Sequence, residues 1–246
     1  MKYALVNGVK TPPSPKSTGV CSCCNEPVIA KCGEIKVWHW AHTNLDNCDN
    51  WWEPETEWHR VWKSHFPIDN QEVIQIDPLY GEKHIADVML NNGVVIEFQN
   101  SPISPEEITC RELFYNNMIW VINGDSFKHH FTIRHKLPNH KSNIVKNCRR
   151  EYIHQSMVDV CEVWIKGRYR KYFLFDAQEF LVNDDSRMYS FLWNYERKSW
   201  RYSKKMKFID FGDDYLYQIM RYNDSLECVK LWTKSEFVKR ALNPKK

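Results

Sequence analysis

A chain of 246 residues, 43% of them hydrophobic and 26% charged, is long enough for one large domain or two modest ones with a real core. A formal net charge of +3 is only mildly basic, so any nucleic-acid surface must be local. Nine cysteines, an odd count with five of them between Cys21 and Cys48, do not suit an oxidised secreted scaffold. Neither a signal-like apolar segment nor a run approaching the ~18 apolar residues of a membrane span is present, and the expectation is a cytoplasmic protein with reduced thiols.

Tyr3 to Val6 reads as a short strand, followed by a Lys/Pro/Ser linker to about residue 18. Cys21-x2-Cys24 then has the spacing of a zinc knuckle, in which two thiolates hold one ion and backbone amides point at the sulfurs. The remaining ligands come from His39 or His42 and from Cys48. The preferred set is Cys21, Cys24, His42 and Cys48, because Val37 to His42 reads as a strand whose last residue can meet the knuckle. Cys23 and Cys32 read as small apolar fillers. Four protein ligands leave no open position, so the Zn2+ is expected to be structural.

Residues 53 to 66 read as a helix with an apolar stripe of Trp58, Val61, Trp62 and His65 and an acidic first turn that suits the helix dipole. His59 and Lys63, four apart, share a face and can meet either DNA phosphate or water. A strand from Glu72 to Asp77 and a turn from Pro78 to Lys83 come next.

The stretch from His84 to Ser101 organises the rest. It reads as two strands joined at Asn91-Asn92-Gly93, with Asp87, Glu97 and Gln99 inside runs that otherwise bury themselves. A two-residue loop would put Asp87 and Glu97 on opposite faces. A three-residue loop, with Gly93 supplying positive φ, pairs Leu90 with Val94 and sets Asp87 across from Glu97. Facing carboxylates repel unless a cation lies between them, and a divalent metal meets that need. Gln99 lies on the same strand face as Glu97.

Beyond the hairpin, Ser104-Pro105-Glu106-Glu107 is a helix start with serine as cap, proline first, and Glu107 placed as in a capping box. Arg111 and Tyr115 share one face of that helix, and Met118 to Ile122 reads as a buried strand. Ser101 has no surrounding Gly-x-Ser-x-Gly turn and is not read as a nucleophile.

This series resembles the competence CoiA-like family, counted within the PD-(D/E)xK nuclease superfamily. The residues that carry the resemblance are Asp87-x9-Glu97-x-Gln99, Ser-Pro-Ile-Ser, Arg111, Tyr115 and Trp120-Val121-Ile122, together with the Cys-x2-Cys and His-aromatic-x-His segment before them. Covering about residues 19 to 123, it implies an α/β fold with a restriction-endonuclease-like mixed-sheet core (51–135) and an N-terminal zinc-binding module (1–50), while the composition beyond reads as a strand-rich aromatic C-terminal region (136–246). It further implies a nuclease acting on DNA, with competence pointing to incoming single strands. Catalytic Mg2+ or Mn2+ would sit on Asp87 and Glu97, with the Phe98 carbonyl as a further ligand. Gln99 stands in place of the usual Lys, so catalysis leans harder on the metal. Glu57 is the family-like carboxylate on the preceding helix, set against the plainer reading of a solvated helix start. His59, Lys63, Arg111 and Tyr115 are the expected nucleic-acid contacts.

Residues 125 to 150 are rich in His, Lys and Arg and fit either a basic surface or a solvated linker. Val158 to Ile165 and Tyr169 to Phe175 read as a hairpin around Gly167, and Ser235 to Leu242 as a closing helix. The Lys/aromatic stretch 196–208 fits core better than a stacking groove. Two rival functions accompany the nuclease: a non-catalytic nucleic-acid binder or scaffold in uptake, recombination or defence, and zinc-dependent hydrolysis at the cysteine cluster.

Overall fold

The computed structural model describes residues 1–43, 48–49, 51, 53–223 and 226–244. The expected boundary after residue 50 falls at a position outside them. The chain divides into two compact units, Met1–Val121 with Ser199–Lys205 and Val238–Lys246, and Ile122–Lys198 with Met206–Phe237. Among the described residues, no helix is long and apolar enough to cross a membrane.

The first unit opens with β1 (Ala4–Val6), β2 (Val9–Thr11), β3 (Thr18–Val20), β4 (Pro27–Lys31) and β5 (His39–His42), which pair in the order β2-β1-β3-β4-β5. Their buried side is a cluster of Met1, Ala4, Cys21, Cys23, Val28 and Trp40. Helix α1 (Glu57–Ser64) follows. It is shorter than the sequence suggests, because Thr56 caps it: the Thr56 side chain accepts from the His59 amide at 3.3 Å, and the His59 side chain bonds back to the Thr56 backbone. Pro54 biases Glu53 toward extended backbone. Residues 53–56 are therefore a non-helical lead-in.

Strands β6 (Gln71–Ile76), β7 (Lys83–Met89) and β8 (Val95–Gln99), helix α2 (Pro105–Tyr115) and strand β9 (Met118–Asn123) complete a mixed sheet with neighbours β9-β8-β7-β6. β6, β7 and β8 pair antiparallel. Val95 N donates to Asn117 O at 2.9 Å, so the start of β8 lies beside the start of β9 and the two run parallel, joined by α2. Ser104 caps α2 through Glu107 N at 3.1 Å, but the Glu107 carboxylate turns to Arg111 instead of closing a capping box. Every residue of β8 is buried, as a central strand demands.

The second unit holds β10 (Phe131–Lys136), β11 (Val145–Ile153), β12 (Ser156–Ile165), β13 (Arg168–Phe173), β14 (Met188–Trp193), β15 (Met206–Asp210), β16 (Tyr215–Tyr222), β17 (Leu226–Thr233) and the start of α3 (Lys234–Leu242), up to Phe237. Strands β10-β14-β17-β16-β15 are neighbours in sheet order, and β11-β12-β13 form a separate antiparallel sheet. The core includes Leu137, Val145, Cys148, Cys161, Val163, Leu174 and Tyr222. Much of the basic stretch thus becomes ordered strand. In the stretch 196–208, Trp200 is buried edge-on to Trp120 and Phe208 is buried, so its aromatics go mainly to packing, while Tyr202 stays exposed.

Candidate functional site

The β7–β8 hairpin has the three-residue register. Val88 faces Ile96 and Met89 faces Val95, while Leu90 N donates to Val94 O at 2.8 Å across a turn whose Gly93 has φ +80°. One further step along the ladder brings Asp87 opposite Glu97. There the backbone pairing gives way to side chains: Asp87 N donates to Glu97 Oε1 at 3.1 Å, and Phe98 N donates to Asp87 Oδ2 at 2.9 Å. The Phe98 carbonyl is taken by His59 Nε2 at 3.0 Å. A divalent cation would have to share that carbonyl with the imidazole.

Burial and electrostatics make this pair unusual. Glu97 is 5% exposed, and burial together with the Asp87 charge pushes its pKa up to about 8, against the pull of Arg111. Arg111 Nη1 lies 3.2 Å from Glu97 Oε2, while Nη2 donates to Trp51 O at 2.8 Å and to the Glu107 carboxylate. On the other side, Lys63 Nζ is fully buried among Glu55 Oε2 at 2.8 Å, Glu72 Oε1 at 2.9 Å and Asp87 Oδ1 at 3.6 Å. Burial alone would lower its pKa, but Glu72, Asp87 and Glu55 together hold it well above the lysine range. Glu72 feels burial upward and Lys63 downward, and settles at about 2. Glu72 sits at φ +46°, a left-handed conformation that is strained for a residue with a side chain. Its carboxylate also accepts from Lys2 N at 2.7 Å and Tyr3 N at 3.0 Å.

The third corner is Glu53. Its Oε1 accepts from Asn100 N at 3.0 Å and Ser101 N at 2.8 Å, its Oε2 from Gln99 Nε2 at 2.9 Å, and His59 Nε2 stands 3.7 Å away. Burial raises its pKa against the pull of His59. Glu53, Glu55, Glu72, Asp87 and Glu97 all line one cleft, with His59, Lys63, Arg111 and Tyr115.

Several sequence expectations change here. Glu57 is exposed and does not line the cleft; Glu53 and Glu55, from the lead-in before α1, line it instead. His59, Lys63, Arg111 and Tyr115 do gather at the cleft, but all four are buried, and both cations are engaged by carboxylates, so they do not form an open phosphate-contacting surface. The Gln99 amide is directed at Glu53 and at Ser101 O, 3.1 Å away. Glu53 and Glu72 were missed because reading residues 53–66 as helix overlooks Pro54 and Thr56, and nothing local marks the kink at Glu72.

Both implied metals can be weighed against the side chains present. Cys21, Cys24, His42 and Cys48 bring four ligand atoms within 4.8 Å of one another. Cys21 Sγ lies 3.8 Å from Cys48 Sγ, and Cys24 Sγ lies 3.3 Å from His42 Nε2. The knuckle is closed by Asn25 at φ +62°, with Asn25 N donating to Cys21 O at 3.0 Å, and Cys23 N points at Cys21 Sγ at 3.4 Å. His39 bonds to Val37 O instead, whereas His42 shares the β5 face of buried Trp40. Three thiols and an imidazole at this spacing suit zinc. At the hairpin, each hydrogen-bonded carboxylate oxygen keeps a second lone pair, and burial and Asp87 raise the Glu97 pKa against the pull of Arg111, so the pair fits a hard divalent cation.

Residues 16–50 match the family described as competence protein CoiA, N-terminal domain, and residues 81–163 match competence protein CoiA, nuclease-like domain. No curated protein and no solved structure matches the chain. The first match contains Cys21, Cys24, His42 and Cys48 and the second contains Asp87, Glu97, Gln99 and Arg111, so both clusters lie in regions similar to those domains.

Proposed function

We propose that the protein is a metal-dependent nuclease that hydrolyses DNA phosphodiester bonds at the Asp87–Glu97 pair. The observation that carries this reading is the pair itself, two facing carboxylates of which one is pushed to about 8 by burial and by the other. The match to a nuclease-like domain supports the substrate class, and the likeness to a competence protein favours DNA entering as single strands. Mg2+ or Mn2+, when bound, would supply Lewis acidity at the phosphoryl oxygen and ease ionisation of water. Asp87 and Glu97 would hold the cation, in competition with the proton that the raised pKa of Glu97 favours. Lys63 Nζ stands 3.6 Å from Asp87 on the far side, and Arg111 orients Glu97. Glu53, held by two backbone amides and Gln99, is the carboxylate placed to accept a proton from attacking water. Gln99 acts through Glu53, as a positioning residue. The Cys21, Cys24, His42, Cys48 cluster holds structural zinc, which leaves zinc-dependent hydrolysis without an open position.

The test is cleavage of labelled single- and double-stranded DNA with Mg2+, Mn2+ or EDTA, comparing wild type with Asp87→Ala and Glu97→Ala. Metal-dependent cutting lost in both variants supports the reading. One observation favours a non-catalytic binder on the same fold: Gln99, Lys63 and Arg111 are all engaged within the protein. A wild type that binds DNA, never cuts it, and binds as well or better after Asp87→Ala would establish that role instead.

A further inference from the structure

The second unit carries a feature the nuclease reading does not use. Between Val145 and Phe173 stand seven Lys or Arg and three Asp or Glu, a surplus of four that exceeds the +3 of the whole chain. The three acids are committed: Glu151 pairs with Arg149 at 2.8 Å and with Lys171, Glu162 with Arg149 at 3.1 Å, and Asp159 with Arg150 at 2.8 Å. Among the described residues, Lys146, Lys166, Arg168 and Arg170 have no carboxylate partner. The last three are exposed at the β12–β13 turn and along the edge strand. Lys166 at φ +48° and Gly167 at φ +82° form the tight turn that carries them.

An aromatic pair stands among these charges. Trp164 and Tyr169 face each other across the β12–β13 ladder, with ring centroids 4.9 Å apart and the rings inclined at 59°. They are 48% and 36% exposed, and Lys146 Nζ lies 5.9 Å from the Tyr169 ring. The other face of this sheet supplies Val145, Cys148, Cys161 and Val163 to the core, so Trp164 and Tyr169 lie on the side that the core does not use. Lys146, paired with Glu162, shares the face of the two rings and Lys166 stands at the turn, whereas Arg168 and Arg170 pair with Ile165 and Val163 and leave the edge strand on its other side. Together the rings and cations match what an unpaired strand offers: phosphates for the cations and free base faces for the rings. A duplex keeps its bases stacked and gives the rings nothing to bind.

We propose that the outer face of the β11–β13 sheet, centred on Trp164 and Tyr169 with Lys146 on that face, together with Lys166 at the β12–β13 turn and Arg168 and Arg170 around the edge strand, binds single-stranded nucleic acid. Both rings lie beyond the region that matches the nuclease-like domain, which ends at residue 163. The binding is independent of cleavage at Asp87 and Glu97.

The experiment uses the full chain without added divalent cation and follows the fluorescence anisotropy of a labelled oligothymidylate across a salt series. The expected result is that Lys166→Glu/Arg168→Glu/Arg170→Glu weakens binding and flattens the salt dependence by about two counter-ions, at roughly 0.7 per lost phosphate contact. Trp164→Ala/Tyr169→Ala should weaken binding about tenfold or more while leaving the salt slope unchanged. A 5-bromouracil oligonucleotide cross-linked to the wild-type chain should label Trp164 or Tyr169, a readout that does not depend on how the variants fold. Wild-type affinity in both variants, cross-links elsewhere only, or equal affinity for duplex DNA and heparin with no effect of the aromatic change would overturn the proposal.

Discussion

Substituting Glu97 by glutamine isolates the electrostatic argument on which the site rests. Glutamine keeps the shape and removes the ionisation. With its pKa moved from 4.5 to about 8, Glu97 binds a proton more tightly in the folded chain than in the unfolded one. Its contribution to stability is therefore fully present below pH 4.5 and is lost as pH rises through 8. The loss is about 1.4 kcal/mol per pH unit, or roughly 4 kcal/mol between pH 5 and pH 8. The residue is almost wholly buried, so solvent does little to reduce that figure. Equilibrium urea unfolding of wild type and Glu97→Gln over this range, with zinc retained and no other divalent ion, reads the difference directly. The variant should gain on the wild type steadily with pH, and millimolar Mg2+ should flatten the wild-type slope by replacing the proton. Parallel pH profiles for the two proteins would mean that Glu97 is ionised throughout and that Arg111, 3.2 Å away, outweighs burial and Asp87; the reasoning would then fail.

Other substitutions separate the remaining roles. Lys63→Met leaves Glu55, Glu72 and Asp87 facing one another without their shared cation and should destabilise the chain by about 3–5 kcal/mol in urea unfolding. Glu53→Gln should lower cleavage on the order of a hundredfold or more in single-turnover assays, whereas Glu57→Gln, on the exposed face of α1, should leave it within about twofold. Cys48→Ser and His42→Ala should each reduce bound zinc, measured by elemental analysis, from about one ion per chain toward none, and His39→Ala should retain it. Apparent Mg2+ affinity, followed by calorimetry, should rise with pH up to about 8, because Glu97 must release its proton to bind the ion.

What the sequence reveals about this site depends on how local each cause is. The hairpin register follows from a loop of three residues and one glycine, so the meeting of Asp87 and Glu97 can be read without coordinates. His42 reads as a ligand ahead of His39 because it ends the strand that meets the knuckle, and its Nε2 lies 3.3 Å from Cys24 Sγ. Glu57 illustrates the opposite case. An acidic residue at a helix start is locally at home in solvent, and whether it points inward depends on what packs against the helix. Glu53 is brought inward by the amides of Asn100 and Ser101, almost fifty residues away in sequence. Lys63 reads as a surface lysine on a polar face; only the meeting of Glu55, Glu72 and Asp87 around its ammonium shows that it is buried.

The arrangement of protons in the cleft explains how a buried, acid-rich centre is held together. Five carboxylates, from Glu53, Glu55, Glu72, Asp87 and Glu97, face two permanent cations, Lys63 and Arg111. They cannot all ionise in a site that excludes most water. Lys63 and the backbone amides around Glu72 set how part of this proton shortage is resolved. Glu72, at 2.9 Å, is driven down to about 2, while Asp87, at 3.6 Å, serves as the charge that pushes Glu97 up to about 8. Glu53 is raised as well, by burial and by Asp87, against the pull of His59 and its neutral donors. The two carboxylates raised in this way each have a basic side chain nearby, Arg111 at 3.2 Å from Glu97 and His59 at 3.7 Å from Glu53, and His59 also takes the Phe98 carbonyl. Gln99 fits that pattern better than Lys would. A lysine in its place would pair with Glu53 and lower its pKa, whereas the neutral amide fixes Glu53 and leaves it basic enough to take a proton.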